Sequence, residues 1–149
     1  MIITEDWIFV FNPRTGGRSL TAGFKNIGWN VKHTHDFPPP INNRKVYGVI
    51  RNPVDWIWSL YSGCIMGMDA WLDTPIDIFP EWAPAYRLNI YHEFITDYFI
   101  LEDGLEKIFI TLNLDVPKLS VIGKHIHSTT YLPKMKIKYP FDFHNWPIF

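Results

Sequence analysis

Two short stretches of the chain gather side chains suited to holding oxyanions. The first is Asn12-Pro13-Arg14-Thr15-Gly16-Gly17-Arg18-Ser19-Leu20, where two arginines, two hydroxyl residues and a Gly-Gly pair lie close together. A guanidinium is a permanent cation whose fork of N–H donors matches phosphate and sulfate oxygens. A glycine turn that feeds a helix also lines up backbone N–H groups at the positive end of the helix dipole, a nest for the same anions. The plainer alternative is that Gly-Gly only permits a tight turn. The second stretch is Arg51-Asn52-Pro53-Val54-Asp55-Trp56-Ile57-Trp58-Ser59-Leu60-Tyr61. Arg51 stands where a strand gives way to a helix, and Ser59 lies two helical turns on, near the face that carries Asp55. Read structurally, Arg51 is a capping or ion-pairing residue and Ser59 a surface choice. Between the two stretches, His33-Thr34-His35 admits three readings: a metal-ligand pair, a general base, or a surface turn. With no third ligand at a recognisable spacing, no metal is expected.

These residues need elements to position them. Ile8-Phe9-Val10-Phe11 is a continuous apolar run that reads as a buried strand, and Leu20, Phe24 and Ile27 fall on one face of a helix that Gly28 stops. Residues 29–33 read as a second short strand, followed by an extended Pro38-Pro39-Pro40 loop. Lys45 to Ile50 reads as the next strand. Asn52 as N-cap, Pro53 in the first turn and Asp55 after it open a helix with Val54, Ile57, Trp58 and Tyr61 on its apolar face. Helical spacing of Leu88, Tyr91, Phe94, Ile95 and Tyr98 predicts a helix over 86–97, then a strand over 98–101. Glu102 and Asp103 fall in the first turn of a helix with Leu105, Ile108, Phe109 and Leu112 inward.

Residues 62–85 show little periodicity and read as a lid or acceptor loop. Trp71, Phe79 and Trp82 there form either an aromatic platform or anchors to the core. Asp69, Asp73 and Asp77 are either a solvated acidic edge or a metal site. Strands alternating with helices define an α/β class with a small parallel sheet. Such sheets bind ligands beyond the carboxyl ends of their strands, where Arg51 stands.

Composition bounds the function classes. A chain of 149 residues suits one domain (1–149), and 47% hydrophobic with 17% aromatic content indicates a packed core. A net charge of −1 argues against a general nucleic-acid binder that works by phosphate neutralisation. The single Cys64 excludes an internal disulfide and a cysteine zinc cluster. There is no basic and apolar leader and no apolar run approaching about 18 residues. The expectation is a cytoplasmic protein without a membrane span. The tail, 123–149, opens polar and basic around Lys124 and closes with an aromatic run expected to dock on the domain or on a second copy.

Together these segments resemble the carbohydrate-type sulfotransferases that use 3′-phosphoadenosine 5′-phosphosulfate (PAPS). Residues 9–20 resemble the family's P-K-T-G-G-T-S-L phosphosulfate loop. Residues 49–61 are similar to its R-N-P-x-x-R-x-x-S-x-Y motif for the 3′-phosphate. Residues 98–114 look like its late R-Y-E-D-L strand and the helix after it. The resemblance implies a three-layer, P-loop-like sandwich and transfer of a sulfuryl group to a hydroxyl or amine of a small-molecule or carbohydrate acceptor. It places Arg14 and the amides of Thr15, Gly16, Gly17, Arg18 and Ser19 on the phosphosulfate, and Arg51 and Ser59 on the 3′-phosphate.

It also implies His35, with His33 second, as the base for the acceptor. Lys124 becomes a 3′-phosphate contact, or a stand-in for the missing arginine, from a tail that folds over the nucleotide, the plainer reading being a disordered basic end; Glu102 orients the basic residues, the plainer reading being a helix cap. Two positions depart from the family: its loop lysine is Arg14 here, and its second arginine is Trp56. Two other readings are a P-loop-like, nucleotide-binding kinase relative and a non-catalytic module that binds PAPS or its desulfonated product, 3′,5′-adenosine bisphosphate. The kinase reading lacks the Gly-x-x-x-x-Gly-Lys-Ser/Thr run and a clear aspartate for magnesium.

Overall fold

The structure is a computed structural model that describes residues 1–31, 34, 42–62, 67–73, 91, 93–119 and 129–146. Among these, a mixed sheet joins β1 (Ile2–Ile3), β2 (Trp7–Val10), β3 (Lys45–Ile50) and β4 (Asp97–Ile100) in that spatial order. Strands β2, β3 and β4 are parallel. The expected all-parallel sheet is corrected at one edge, where β1 runs antiparallel to β2 with Ile2 opposite Phe9. The chain reverses between them through a turn closed by Thr4, whose N–H and hydroxyl both donate to the Trp7 carbonyl at 2.9 and 2.8 Å. A two-residue strand is too short for periodicity to announce it.

Helix α1 (Gly17–Asn26) follows β2, and α2 (Pro53–Tyr61) follows β3. Next come α3 (Met68–Asp73), a 3₁₀ turn at Leu101–Asp103 directly after β4, α4 (Glu106–Thr111), α5 (Leu132–Lys138) and α6 (Pro140–Asn145). Side chains alternate across a strand, so β2 and β3 feed two apolar layers. Phe9, Phe11 and Val49 pack against Leu20 and Phe24 of α1 and Ile108 and Phe109 of α4, with the Phe24 and Phe109 rings 4.7 Å apart. On the opposite side Ile8, Val10 and Val46 meet Tyr91 and Ile95, while Ile50 packs with α2, α3 and α5. Helices therefore cover both faces of the sheet.

Three element expectations need correction. Trp29 to Val31 form no strand: the Trp29 N–H closes the end of α1 on the Phe24 carbonyl, and its ring stacks on Trp7 at 5.7 Å. Residues 32 and 33 lie outside the described residues. The helix predicted over 86–97 fails where it is described, because Tyr91, Glu93 and Phe94 are in turns, Ile95 and Thr96 are not helical, and Asp97 begins β4. The Thr96 N–H donates to the Val46 carbonyl at 2.8 Å, so sheet pairing overrides helical spacing there. Glu102 and Asp103 belong to the 3₁₀ turn, which Gly104 at φ 99° separates from α4.

Among the described residues, α5 and α6 pack with α2 and α3. Met135 and Tyr139 are buried with Trp56 and Trp71, so Trp71 anchors its segment to the core. Phe79, Trp82 and Asp77 lie outside the described residues. Lys134 reaches Asp69 at 2.7 Å and Asp73 at 2.8 Å. Among the described residues no helix is long and apolar enough to cross a membrane, and no group of His, Cys, Asp and Glu is arranged to hold a metal.

Candidate functional site

Strand register brings the two basic stretches to one edge. Val10 is level with Gly48, and Ile50 with Ile100. Two residues further along these parallel strands, Asn12 lies beside the end of β3 and Asn52 beside Glu102. The residues after β2, β3 and β4 therefore emerge side by side at the carboxyl edge, the usual ligand position of open α/β sheets.

Arg51 is the buried cation of this edge, 8% exposed. Its Nη1 donates to the Arg14 carbonyl at 3.4 Å, its Nε lies 3.7 Å from a Glu102 oxygen, and that Nε makes no hydrogen bond. Buried guanidinium N–H groups are costly to leave unmet, so an unpaired one beside a loop is a place for an anion oxygen. Glu102 also accepts the Asn52 N–H through both carboxylate oxygens at 3.1 and 3.2 Å. Burial pushes the Glu102 carboxyl above its ordinary 4.5, against the opposing pull of backbone N–H donors and the Arg51 charge; the nearby Asp55 carboxylate adds to the rise. Asn52 itself caps α2, its Oδ1 accepting from the Val54 N–H at 3.0 Å.

The loop from 12 to 16 is tied to β3 and α2 at successive residues. Asn12, fully buried, donates from Nδ2 to the Val49 carbonyl at 2.9 Å, and its Oδ1 is unpaired. The Trp56 Nε1–H donates to the Pro13 carbonyl at 2.6 Å. Gly16 then takes a left-handed φ of 79° as N-cap of α1, a posture without cost only for glycine, and no side chain caps the helix. The first intrahelical donor is Leu20, bonded to the Gly16 carbonyl at 3.0 Å. The amides of Gly17, Arg18 and Ser19 thus have no helical acceptor and face out of the N-terminus. Together with the dipole of α1 they form an anion nest.

The sequence-predicted residues fare differently. Gly16, Gly17, Arg18 and Ser19 lie in the turn and the first turn of α1, with Arg18 exposed; Arg51 lies between β3 and the N-cap of α2, and Ser59 near the end of α2. Two side chains depart from expectation. The Thr15 hydroxyl is buried and donates to the Asn12 carbonyl at 2.9 Å, so its proton serves the loop and not an anion. The Arg14 guanidinium is engaged at α2, with Nε donating to the Ser59 carbonyl and Nη2 to Ser62 Oγ, each at 2.8 Å. His33, His35 and Lys124 lie outside the described residues.

Sequence reasoning missed Asn12, Ser62 and the tethering role of Trp56. The Asn-Pro pair at a strand end was the one available signal for Asn12. Comparisons with models of protein families, with curated proteins and with solved structures found nothing that matches this chain.

Proposed function

We propose that the chain binds PAPS and transfers its sulfuryl group to a hydroxyl or amine of a small-molecule or carbohydrate acceptor. On this reading the chain has the three-layer, P-loop-like sulfotransferase architecture. The observation that carries it is the meeting of the two basic stretches: a helix nest after β2 and a buried arginine after β3, with Arg51 Nη1 3.4 Å from the Arg14 carbonyl. A ligand with anionic groups at two ends fits two such corners better than a single phosphate does. The residues present suit the nucleotide, because Arg51 Nε is buried without a hydrogen bond and the α1 amides lack helical acceptors.

The amides of Gly17, Arg18 and Ser19, with the Arg18 side chain, hold the phosphosulfate end. Arg51 and Ser59 hold the 3′-phosphate, and Lys124 adds to that contact. When bound, PAPS supplies an activated sulfuryl group whose leaving phosphate gains negative charge. Oriented amides offset such charge without reorganising. His35, or else His33, takes the proton from the acceptor as it attacks.

A second reading, a non-catalytic module that binds the nucleotide, draws on the Arg14 side chain, whose bonds to Ser59 and Ser62 take a cation from the phosphosulfate. The test is a thermal-shift series with the full chain. Stabilisation by 3′,5′-adenosine bisphosphate without magnesium supports the site, and stabilisation only by magnesium-ATP overturns it in favour of a kinase relative. Transfer of radiolabelled sulfate then separates enzyme from module.

A further inference from the structure

The Arg14 side chain turns away from the helix that its loop feeds and lies along α2. Its backbone sits at φ 62°, left-handed and disfavoured for arginine. The ties of Pro13 to Trp56 and of the Arg14 carbonyl to Arg51 hold the loop in that posture. The guanidinium then meets the Ser59 carbonyl and Ser62 Oγ. Ser62 spends its own proton on the Ser59 carbonyl at 2.7 Å, which leaves its oxygen to accept from Arg14.

We infer that Arg14 serves the 3′-phosphate end of the ligand and not the phosphosulfate end; the inference rests on the nucleotide reading above. Two of the five guanidinium N–H donors are used at α2, so the others face solvent beside Ser59, whose hydroxyl bonds to no described residue. Arg51, whose Nε makes no hydrogen bond and lies 3.7 Å from Glu102, is the other cation assigned to that end, and its Nη1 holds the Arg14 carbonyl. Trp56 explains why the cation has to come from the loop. It occupies the position of the family's second arginine, yet it is 2% exposed and ties down Pro13. A charge lost from α2 is thereby restored from the neighbouring loop. The 5′ end keeps only the α1 amides and Arg18, so affinity should depend strongly on the 3′-phosphate.

The rival account is that Arg14 merely caps the carboxyl end of α2. Titration calorimetry on the full chain with 3′,5′-adenosine bisphosphate and with adenosine 5′-monophosphate decides between them. Arg14→Gly removes the side chain and suits the left-handed backbone. It should weaken the bisphosphate about tenfold, the loss expected for a charge-assisted contact, and leave the monophosphate unchanged. Arg14→Lys, which keeps the charge without the fork, should fall between, and it supplies the same comparison if the glycine variant does not fold. Equal weakening of both ligands places Arg14 on the 5′ side and overturns the inference; so does no weakening of either, which leaves a helix cap. A wild-type chain that binds neither ligand overturns the nucleotide reading, and the inference with it.

Discussion

At the level of single residues, the charge balance around Arg51 governs the site. Glu102 stands 3.7 Å from Arg51 Nε and as a carboxylate cancels part of the field that an incoming anion would meet. Its carboxyl titrates above 4.5 because burial disfavours the charged form. A raised native value means that the group favours the fold below its unfolded value, and that this contribution is lost as pH rises through the native value. At neutral pH the buried charge is therefore a net cost. Glu102→Gln keeps an oxygen for the Asn52 N–H and removes that charge. The variant should melt no lower than wild type and bind inorganic sulfate more tightly, by about 1 kcal/mol or roughly fivefold. Sulfate stays ionised in this range, so wild-type affinity should rise as pH falls through the Glu102 titration while the glutamine variant stays flat. Calorimetry at a series of pH values measures both, and weaker sulfate binding by the variant would mean that Glu102 orients Arg51 more than it opposes the ligand.

Among the elements, the unit that matters is the loop after β2 and the helix after β3, fastened together before any ligand arrives. Trp56 is the principal fastener: its indole is buried, and its N–H holds the Pro13 carbonyl at 2.6 Å. Trp56→Phe leaves that carbonyl unmet and part of a core volume empty, which together should cost about 2–3 kcal/mol in urea unfolding. Sulfate affinity should drop as well, since the loop amides lose their fixed direction. Unchanged stability would remove the tether from the account. The α2 start was legible because Asn52, Pro53 and Asp55 each signal a helix opening by local chemistry, and Asn52 does cap Val54. The β3 run and the glycine turn were legible for the same reason. What escaped was set by partners distant in sequence. Nothing local in Arg14 says that its side chain will reach Ser59 and Ser62, or in Glu102 that it will accept from Asn52, because strand register makes those meetings. The 86–97 segment misled for a related reason: apolar spacing fits a helix, but Ile95 lies against Gly48 of β3, whose lack of a side chain makes room for it.

For the molecule as a whole, the question is what holds the later part of the chain on the sheet domain. Two kinds of contact compete. Met135 and Tyr139 are buried against α2 and α3, while Lys134 bridges Asp69 and Asp73 at the surface. The Lys134 ammonium is pushed up to about 12 by hydrogen bonds to the two carboxylates. Its contribution is thus whole below its ordinary 10.5 and fades as pH rises through about 12, so it is fully present at neutral pH. Exposed pairs are nevertheless screened by salt and water, whereas an emptied core site cannot relax fully. Met135→Ala should therefore cost about 2–5 kcal/mol, measured by urea unfolding, and open the 129–146 region to protease. Lys134→Ala should shift the midpoint far less, and high salt should bring wild type close to that variant. Two helices, α5 and α6, are then retained by apolar burial, with the lysine selecting their register along α3. Lys138 extends that selection, since its ammonium caps the Trp71 and Leu72 carbonyls at 2.8 and 2.9 Å and lies 5.2 Å above the Trp71 ring. If Lys134→Ala proved the more damaging change, electrostatic pinning would have to replace burial as the force that keeps α5 beside α2, the helix that carries Ser59.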